Sequence, residues 1–136
     1  MAVSILLSIK PRFALAILSG AKRFEFRRRG FAQTPDAVAI YATAPEGKIV
    51  GWFTVESVIE ATPKDLWQQC GEEGAIEADD FFAYFEGCER GFALEVGEVV
   101  QLKDPIAPAD LPKSVRPPQS FLHLDDESWS VISTSA

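Results

Sequence analysis

A helix, its C-terminal stop and a charged strand follow one another in residues 10–29, which read KPRFALAILSGAKRFEFRRR. Pro11 suits the first position of a helix, and apolar side chains from Phe13 to Leu18 recur at the helical spacing of about 3.6 residues. Gly20 is the residue expected to end the helix in a left-handed conformation. Residues 3–9 form a short apolar, β-branched run, so the sequence predicts a strand, a helix and a second strand.

The second strand is predicted to alternate charged and aromatic side chains. With a period of two residues, one face carries the aromatic rings and the other carries a carboxylate between two guanidinium groups. The predicted faces are Lys22, Phe24, Phe26 and Arg28 on one side, and Arg23, Glu25 and Arg27 on the other. A bulge after Gly20 would change the side on which Lys22 lies.

The positive charge of this acidic chain is concentrated in the same stretch. Residues 10–29 hold seven of the thirteen basic side chains and a single acid, Glu25. The rest of the chain holds six basic and nineteen acidic side chains, so a local charge of +6 is set against −13 elsewhere, and the net charge is −7. We therefore expect an anionic partner to bind at this stretch.

The remaining segments predict four more strands and two more helices. The strands are residues 37–42, 49–59, 92–96 and 98–102, and Gly97 marks either a turn or a bulge between the last two. The helices are a segment that is capped by Thr62 and ends at Gly71, and residues 77–86. The pattern predicts an α+β fold with five to six mostly antiparallel strands curled toward a barrel and two to three inserted helices.

Residues 1–136 fit one domain, with Trp129 as the last large apolar anchor and a loosely ordered tail after about residue 125. The first apolar run is too short to span a bilayer, so we expect a soluble, cytoplasmic protein that does not enter a membrane. Cys70, Cys88 and the single His123 have no metal-ligand spacing. Gly-rich phosphate loops and Ser-His-Asp ordering are also absent, so no metal or other cofactor is expected.

The charged strand has two interpretations. Lys22 and Arg27 are suited to hold phosphate, because ammonium and guanidinium groups donate charge-assisted hydrogen bonds to anionic oxygens. Alternatively, Glu25 forms a structural ion pair with Arg23 or Arg27. The sequence leaves open whether Lys22 and Glu25 share a cleft or form such a pair.

A hydrolytic site is the other chemistry that these residues allow. Glu25 would act as a general base on water, Lys22 or Arg27 would stabilise the developing oxyanion, and Tyr41 would orient the substrate. Near the C-terminus, Gln119 and Ser120 are suited to hydrogen-bond a base or a sugar, although a Pro-Pro pair followed by polar residues is also ordinary turn chemistry.

Several motifs in one order resemble the ASCH domain family of the PUA-like superfamily. They are Ser8-Ile9-Lys10-Pro11, an amphipathic helix, and Gly20-x-Lys22-x-x-Glu25-x-Arg27, the signature element of that family. Residues 39–42, Val50-Gly51 and residues 117–121 are similar to the branch described as phage or prophage transcriptional regulators. The resemblance extends from about residue 5 to residue 121.

The resemblance implies a small β-barrel with a nucleic-acid-binding cleft beside the first helix. Lys22, Glu25 and Arg27 would lie in this cleft and Lys10 near its rim. Some relatives hydrolyse acylated cytidine and others are described as ribonucleases. The branch that hydrolyses acetylcytidine resembles Gly-x-Lys-x-x-Thr-x-Arg, whereas this chain has Glu25 at the position of the threonine nucleophile, which argues against that covalent mechanism.

Three functions follow as hypotheses. The first is a module that binds RNA, other single-stranded nucleic acid or a nucleotide through Lys10, Lys22 and Arg27, and that regulates transcription or translation. The alternative is a metal-independent hydrolase of RNA or of a modified nucleoside, with Glu25 as general base. The third is a protein–protein module that keeps the fold without the ligand, since the acidic remainder of the chain repels long nucleic acid. The sequence does not give the oligomeric state.

Overall fold

The computed structural model describes residues 2–136, which form six strands and four α-helices. In chain order these are β1 (Ser4–Ile9), α1 (Pro11–Ser19), β2 (Phe24–Arg27), β3 (Ala37–Ala42), β4 (Lys48–Ala61), α2 (Pro63–Cys70), α3 (Ala78–Tyr84), β5 (Gly91–Ile106), β6 (Phe121–His123) and α4 (Asp126–Ser133). Short 3₁₀ turns occupy Gly71–Glu73 and Pro108–Asp110.

The strands form one mixed sheet in the order β2-β5-β4-β3-β1-β6. β1 runs parallel to β3, and the other four pairings are antiparallel. The sheet curls into a half-barrel, with α1, α2 and α3 inserted between strands. The predicted α+β fold is therefore confirmed. A parallel pair is possible because α1 and β2 supply the long crossover between β1 and β3 that such a pair needs.

β5 is one strand where the sequence predicts two. Val55 pairs with Val96 and Phe53 with Val99, so β5 holds an extra residue opposite β4 at this point. This is a bulge, and the alternative of a turn at Gly97 is excluded. A side chain at position 97 would collide with Thr54 and Glu56, which accounts for glycine there.

The helix boundaries agree with the local sequence signals. Pro11 stands at the first position of α1, and Gly20 ends it with φ +86°. Thr62 caps α2, because its Oγ1 accepts a hydrogen bond from the backbone N–H of Asp65 at 3.2 Å. None of the helices in residues 2–136 is long and apolar enough to cross a membrane.

The sheet buries side chains on both faces. Alternation along β1 places Ile5, Leu7 and Ile9 in one apolar cluster beneath α1, and Leu6 in a second cluster on the opposite face. That opposite face is covered by α4, which is not among the helices predicted from the sequence. Asp125 caps α4 by accepting the N–H of Ser128 at 2.7 Å, and Trp129 packs on Trp52 with ring centroids 5.3 Å apart.

Candidate functional site

A hollow of about 670 Å³ lies where the C-terminal end of β1, the start of α1, β2 and α3 meet. We call it the α1–β2 hollow. It is lined by Ser8, Ile9, Lys10, Arg12, Phe13, Lys22, Glu25, Phe26, Arg27, Thr43, Ile76, Asp80, Ala83, Tyr84 and Gln119. Its volume lies within the usual range for small-molecule sites in proteins.

Two buried charges, Lys22 and Glu25, lie at the floor of the hollow. Lys22 is 1% exposed and Glu25 is 5% exposed. Lys22 Nζ lies 4.0 Å from Glu25 Oε1, and Arg27 Nη1 lies 3.5 Å from Glu25 Oε2. Buried charges are retained in proteins where they are paired, so this group of three is the polar centre of the site.

Lys22 is held on three further sides. Its ammonium donates a hydrogen bond to the carbonyl oxygen of Gly74 at 2.5 Å. It also lies 4.7 Å from the ring centroid of Phe13 and 4.8 Å from that of Phe26, which are cation–π distances. The ammonium is therefore fixed by the protein itself, and its contacts also set the position of Glu25.

The Gly74 carbonyl reaches Lys22 because residue 74 has no side chain. A Cβ at this position would lie 2.6 Å from the ring of Phe26. We therefore expect Gly74→Ala to lower the free energy of unfolding by about 1–3 kcal/mol, the usual cost of overpacking. Urea denaturation measures this cost. In a Phe26→Leu background, where the ring is gone, the same substitution should cost less, and an equal cost in both backgrounds would contradict the predicted collision.

Arg27 joins the two edges of the curled sheet. It lies on β2, the strand at one edge, and its Nη2 donates to Ser120 Oγ at 2.8 Å, just before β6 at the other edge. Its Nη1 lies 3.4 Å from the carbonyl oxygen of Ser8, on β1. The side chain is 14% exposed, so it is open to the hollow while it spans the gap between the edges.

Ser8 attaches the proline-rich segment before β6 to the hollow. Its Oγ donates to the carbonyl oxygen of Pro118 at 2.6 Å, and its N–H donates to that of Ser120 at 3.0 Å. These bonds place the exposed Gln119 at the rim of the hollow.

Burial has the largest effect on the pKa values of the two charged residues at the floor of the hollow. Desolvation raises the pKa of Glu25, and the positive charges of Lys22 and Arg27 offset this only in part. Desolvation likewise lowers the pKa of Lys22. Burial also raises the pKa of Tyr84, so this hydroxyl stays protonated at neutral pH and is able to donate a hydrogen bond.

The rim holds two exposed cations, the exposed carboxylate of Asp80 and one aromatic ring, together with Gln119. Lys10 and Arg12 lie at the start of α1, and Arg12 lies over the ring of Phe13 at 4.5 Å. Tyr84, the last residue of α3, is 37% exposed and borders the hollow from the other side. The rim therefore offers charge for an anion and a flat surface for a base.

Most of the residues predicted for the site border the same space. Lys10, Lys22, Glu25, Arg27 and Gln119 line the hollow. Ser120 is bound to Arg27 instead of lining the hollow. The roles proposed for these residues in binding and catalysis remain predictions.

The structure does not bring Tyr41 to the hollow. It is 8% exposed and packs with Leu6 and Ala39 in the cluster on the opposite face of the sheet. Alternation along β3 explains this, since the neighbouring Ile40 is the residue that faces the side of α1. A role for Tyr41 in orienting a substrate stays a prediction that the hollow does not support by contact.

Lys22 precedes the regular part of β2, so its side chain does not follow the predicted alternation. Regular pairing of β2 begins only at Phe24, so alternation along the strand does not decide where Lys22 points. The backbone N–H of Lys22 instead bonds to the carbonyl of Ala16, in α1, and this turns the side chain toward Glu25. Of the two ion pairs that the sequence left open for Glu25, the structure forms the one with Arg27.

Sequence reasoning missed two rim residues, Tyr84 and Arg12. Tyr84 follows the apolar stripe of α3, and its hydroxyl distinguishes it from the phenylalanines that fill the core. An aromatic residue with a polar tip at the end of a helix was a usable signal. Arg12 was counted in the basic stretch but was not assigned to the site. Among residues 2–136 there is no group of three potential metal ligands.

The fold agrees with the comparison to known families. Residues 7–104 match the model of the ASCH domain, so the chain belongs to the ASCH domain family. The PUA-like architecture expected from the sequence is thereby confirmed.

A curated protein and a solved structure, both from Zymomonas mobilis, resemble almost the whole chain. An "ASCH domain-containing ribonuclease" of Zymomonas mobilis subsp. mobilis is 34% identical over 138 residues, which cover 96% of this chain and 90% of that protein. The crystal structure of ASCH from Zymomonas mobilis superposes with a TM-score of 0.89 at 29% identity, covering 98% of this chain and 96% of that one.

A more distant structural relative shares only the fold. The N-terminal domain of Staphylothermus marinus McrB superposes with a TM-score of 0.61 at 11% identity, covering 98% of this chain and 94% of that one.

Proposed function

We propose that this chain binds RNA in the α1–β2 hollow, through a single-stranded segment or a nucleotide. The observation that carries the proposal is the meeting of Lys10, Arg12 and Arg27 around one concave space with a buried carboxylate at its floor. Cations at the rim suit phosphate, and the carboxylate suits the N–H groups of a base.

The charge distribution favours a short ligand over a duplex. The basic stretch carries +6, while the rest of the chain carries −13 and repels extended polyanions. A volume of about 670 Å³ suits a nucleotide or a short single-stranded segment. Tyr84 adds a ring on which an unstacked base is able to lie.

The relatives support RNA as the class of partner. The Zymomonas mobilis protein that is 34% identical to this chain carries the name ribonuclease, and it aligns over almost the whole chain. A regulatory role in transcription or translation is one use of such binding, and it stays a prediction.

Removing the rim cations tests the proposal. We expect Lys10→Ala/Arg12→Ala to weaken binding of a fluorescent single-stranded oligoribonucleotide roughly tenfold, because each side chain supplies one phosphate contact. The slope of log affinity against log salt should fall by about 1.4, since each contact on a single strand contributes about 0.7. Fluorescence anisotropy at several salt concentrations measures both quantities.

Lys103→Ala is the matched control, because this exposed lysine lies on β5 away from the hollow. It should leave affinity and salt slope unchanged. Equal losses in both variants, or wild-type binding that does not depend on salt, would remove the hollow from the interaction.

A second candidate function is metal-independent cleavage of RNA or hydrolysis of a modified nucleoside. The observation that favours it is Glu25, whose burial raises its pKa and so makes the carboxylate a stronger base. In RNA cleavage Glu25 would take the proton of a ribose 2′-hydroxyl, whose oxygen attacks the adjacent phosphorus to form a 2′,3′-cyclic phosphate. The P–O5′ bond breaks, and the leaving 5′-oxygen takes a proton from water. Arg27 would stabilise the charge that develops on the phosphoryl oxygens.

A further inference from the structure

The carboxylate of Glu25 has unused capacity to accept hydrogen bonds. An ionised carboxylate is an acceptor only, with about four lone-pair positions. The nitrogens of its two partners lie at 3.5 and 4.0 Å, beyond the length of about 2.7–2.9 Å that charge-assisted hydrogen bonds prefer. Glu25 is also among the residues that line the hollow, so its free positions are offered to a ligand.

The chemistry of the bases limits what this carboxylate is able to pair with. Guanine carries two adjacent donors on its Watson–Crick edge, N1–H and the N2 amino group, which match the two oxygens of a carboxylate. Adenine and cytosine place an amino group beside a ring-nitrogen acceptor, which would face the second oxygen repulsively. Uracil has a single N–H between two carbonyl groups.

The surroundings of Glu25 complement the rest of the guanine edge. The O6 acceptor lies next to N1–H, and the guanidinium of Arg27 is the partly exposed donor next to Glu25. Lys22 is already bound to the Gly74 carbonyl, so it fixes the carboxylate without competing for the base. Tyr84 borders the same space and offers its ring to the base.

We infer that the α1–β2 hollow is a guanine-specific pocket in which Glu25 accepts hydrogen bonds from N1–H and the N2 amino group of one unpaired guanine. The inference rests on the proposed function, because it assigns a base to the site that is proposed to bind RNA. The phosphate of the same nucleotide would lie toward Lys10 and Arg12 at the rim.

Nucleotide analogues test the inference on the unaltered protein. By isothermal titration calorimetry, GMP should bind about 10- to 100-fold more tightly than AMP, CMP or UMP, the discrimination expected of a bidentate pair. IMP, which lacks the N2 amino group, should bind more weakly than GMP, and 1-methyl-GMP should lose the preference altogether. The matched analogue 7-deaza-GMP, altered only at the other edge, should bind like GMP.

Glu25→Gln tests whether the carboxylate of Glu25 determines the preference for guanine. The amide has one acceptor and one donor group, so this variant should bind GMP and AMP with affinities within about threefold of each other. If all four nucleotides bind the wild-type protein equally, and the salt dependence of binding falls in Lys10→Ala/Arg12→Ala, the guanine inference fails while RNA binding stands. If neither nucleotides nor oligoribonucleotides bind, both proposals fail.

Discussion

Replacing Lys22 with glutamate should lower the free energy of unfolding by about 4 kcal/mol or more. The new carboxylate would lie in a buried site beside Glu25. It would also face the carbonyl oxygen of Gly74, which in the wild type accepts a hydrogen bond from the Lys22 ammonium at 2.5 Å. Three acceptors would then meet in a region from which water is largely excluded, and the Arg27 guanidinium that pairs with Glu25 would not replace the lost ammonium. Urea denaturation monitored by tryptophan fluorescence measures the effect.

Two further variants separate charge from packing. Lys22→Met keeps the apolar stem and leaves Glu25 paired with Arg27, so we expect a smaller loss of about 1–3 kcal/mol, the cost of the unpaired Gly74 carbonyl. Lys103→Glu reverses an exposed charge on β5 and should leave the unfolding midpoint near that of the wild type. If Lys22→Glu were as mild as Lys103→Glu, Lys22 would not be buried against Glu25.

If the hollow cleaves RNA, Glu25→Gln should reduce the cleavage rate about 100- to 10,000-fold. The amide has nearly the shape of the carboxylate but does not accept a proton at neutral pH, so the general base is lost while the geometry is kept. Single-turnover cleavage of a labelled oligoribonucleotide, with anisotropy on the same material, separates the chemical step from binding. Binding of guanine-free RNA should stay within a few-fold of the wild type.

The control for this experiment is Arg29→Ala, an exposed arginine that does not line the hollow. It should leave cleavage unchanged. Cleavage that persists at the wild-type rate in Glu25→Gln would remove Glu25 from the mechanism and would leave binding as the function of the hollow.

The same variant should differ from the wild type in the pH dependence of its stability. A carboxyl group with a raised folded-state pKa contributes stability below its ordinary value of 4.5, and this contribution is lost as the pH rises through the raised pKa. Glutamine has no such loss. The groups that face Glu25, namely Lys22, Arg27 and Tyr84, are present in both proteins. We therefore expect Glu25→Gln to be at least as stable as the wild type at neutral pH, with the two converging in acid. A variant that is markedly less stable at neutral pH would contradict the direction of the pKa shift.

Local signals in the sequence were sufficient for most of the fold. Pro11 and Thr62 mark the starts of helices and Gly20 marks the end of one, through local preferences that do not depend on distant residues. In the structure α1 and α2 begin at the predicted positions, and α1 ends at the predicted one. A continuous apolar run likewise located β3, and the pattern of residues 49–59 located most of the long β4. The helix α4 was missed because its apolar signal is confined to Trp129, Val131 and Ile132, within a polar tail.

The arrangement of the site depended on contacts that no local pattern contains. The sequence placed Lys22 by strand alternation, but the hydrogen bond between its backbone and that of Ala16 decides where its side chain lies. Tyr41 belongs to the predicted strand of residues 37–42, and the face on which it lies follows from the packing of α1 against β1 and β3. The approach of Arg27 to Ser120, 93 residues later, requires the complete curl of the sheet.

Arg27 reaches across the open side of the half-barrel, so an anion bound in the hollow would give this one side chain a mechanical role as well as a chemical one. A bound anion that draws the guanidinium inward competes with Ser120 and the Ser8 carbonyl for the same N–H groups. If the hollow binds such an anion, its occupancy would loosen the contact between the two edges of the sheet, and the segment before β6 would respond to the ligand.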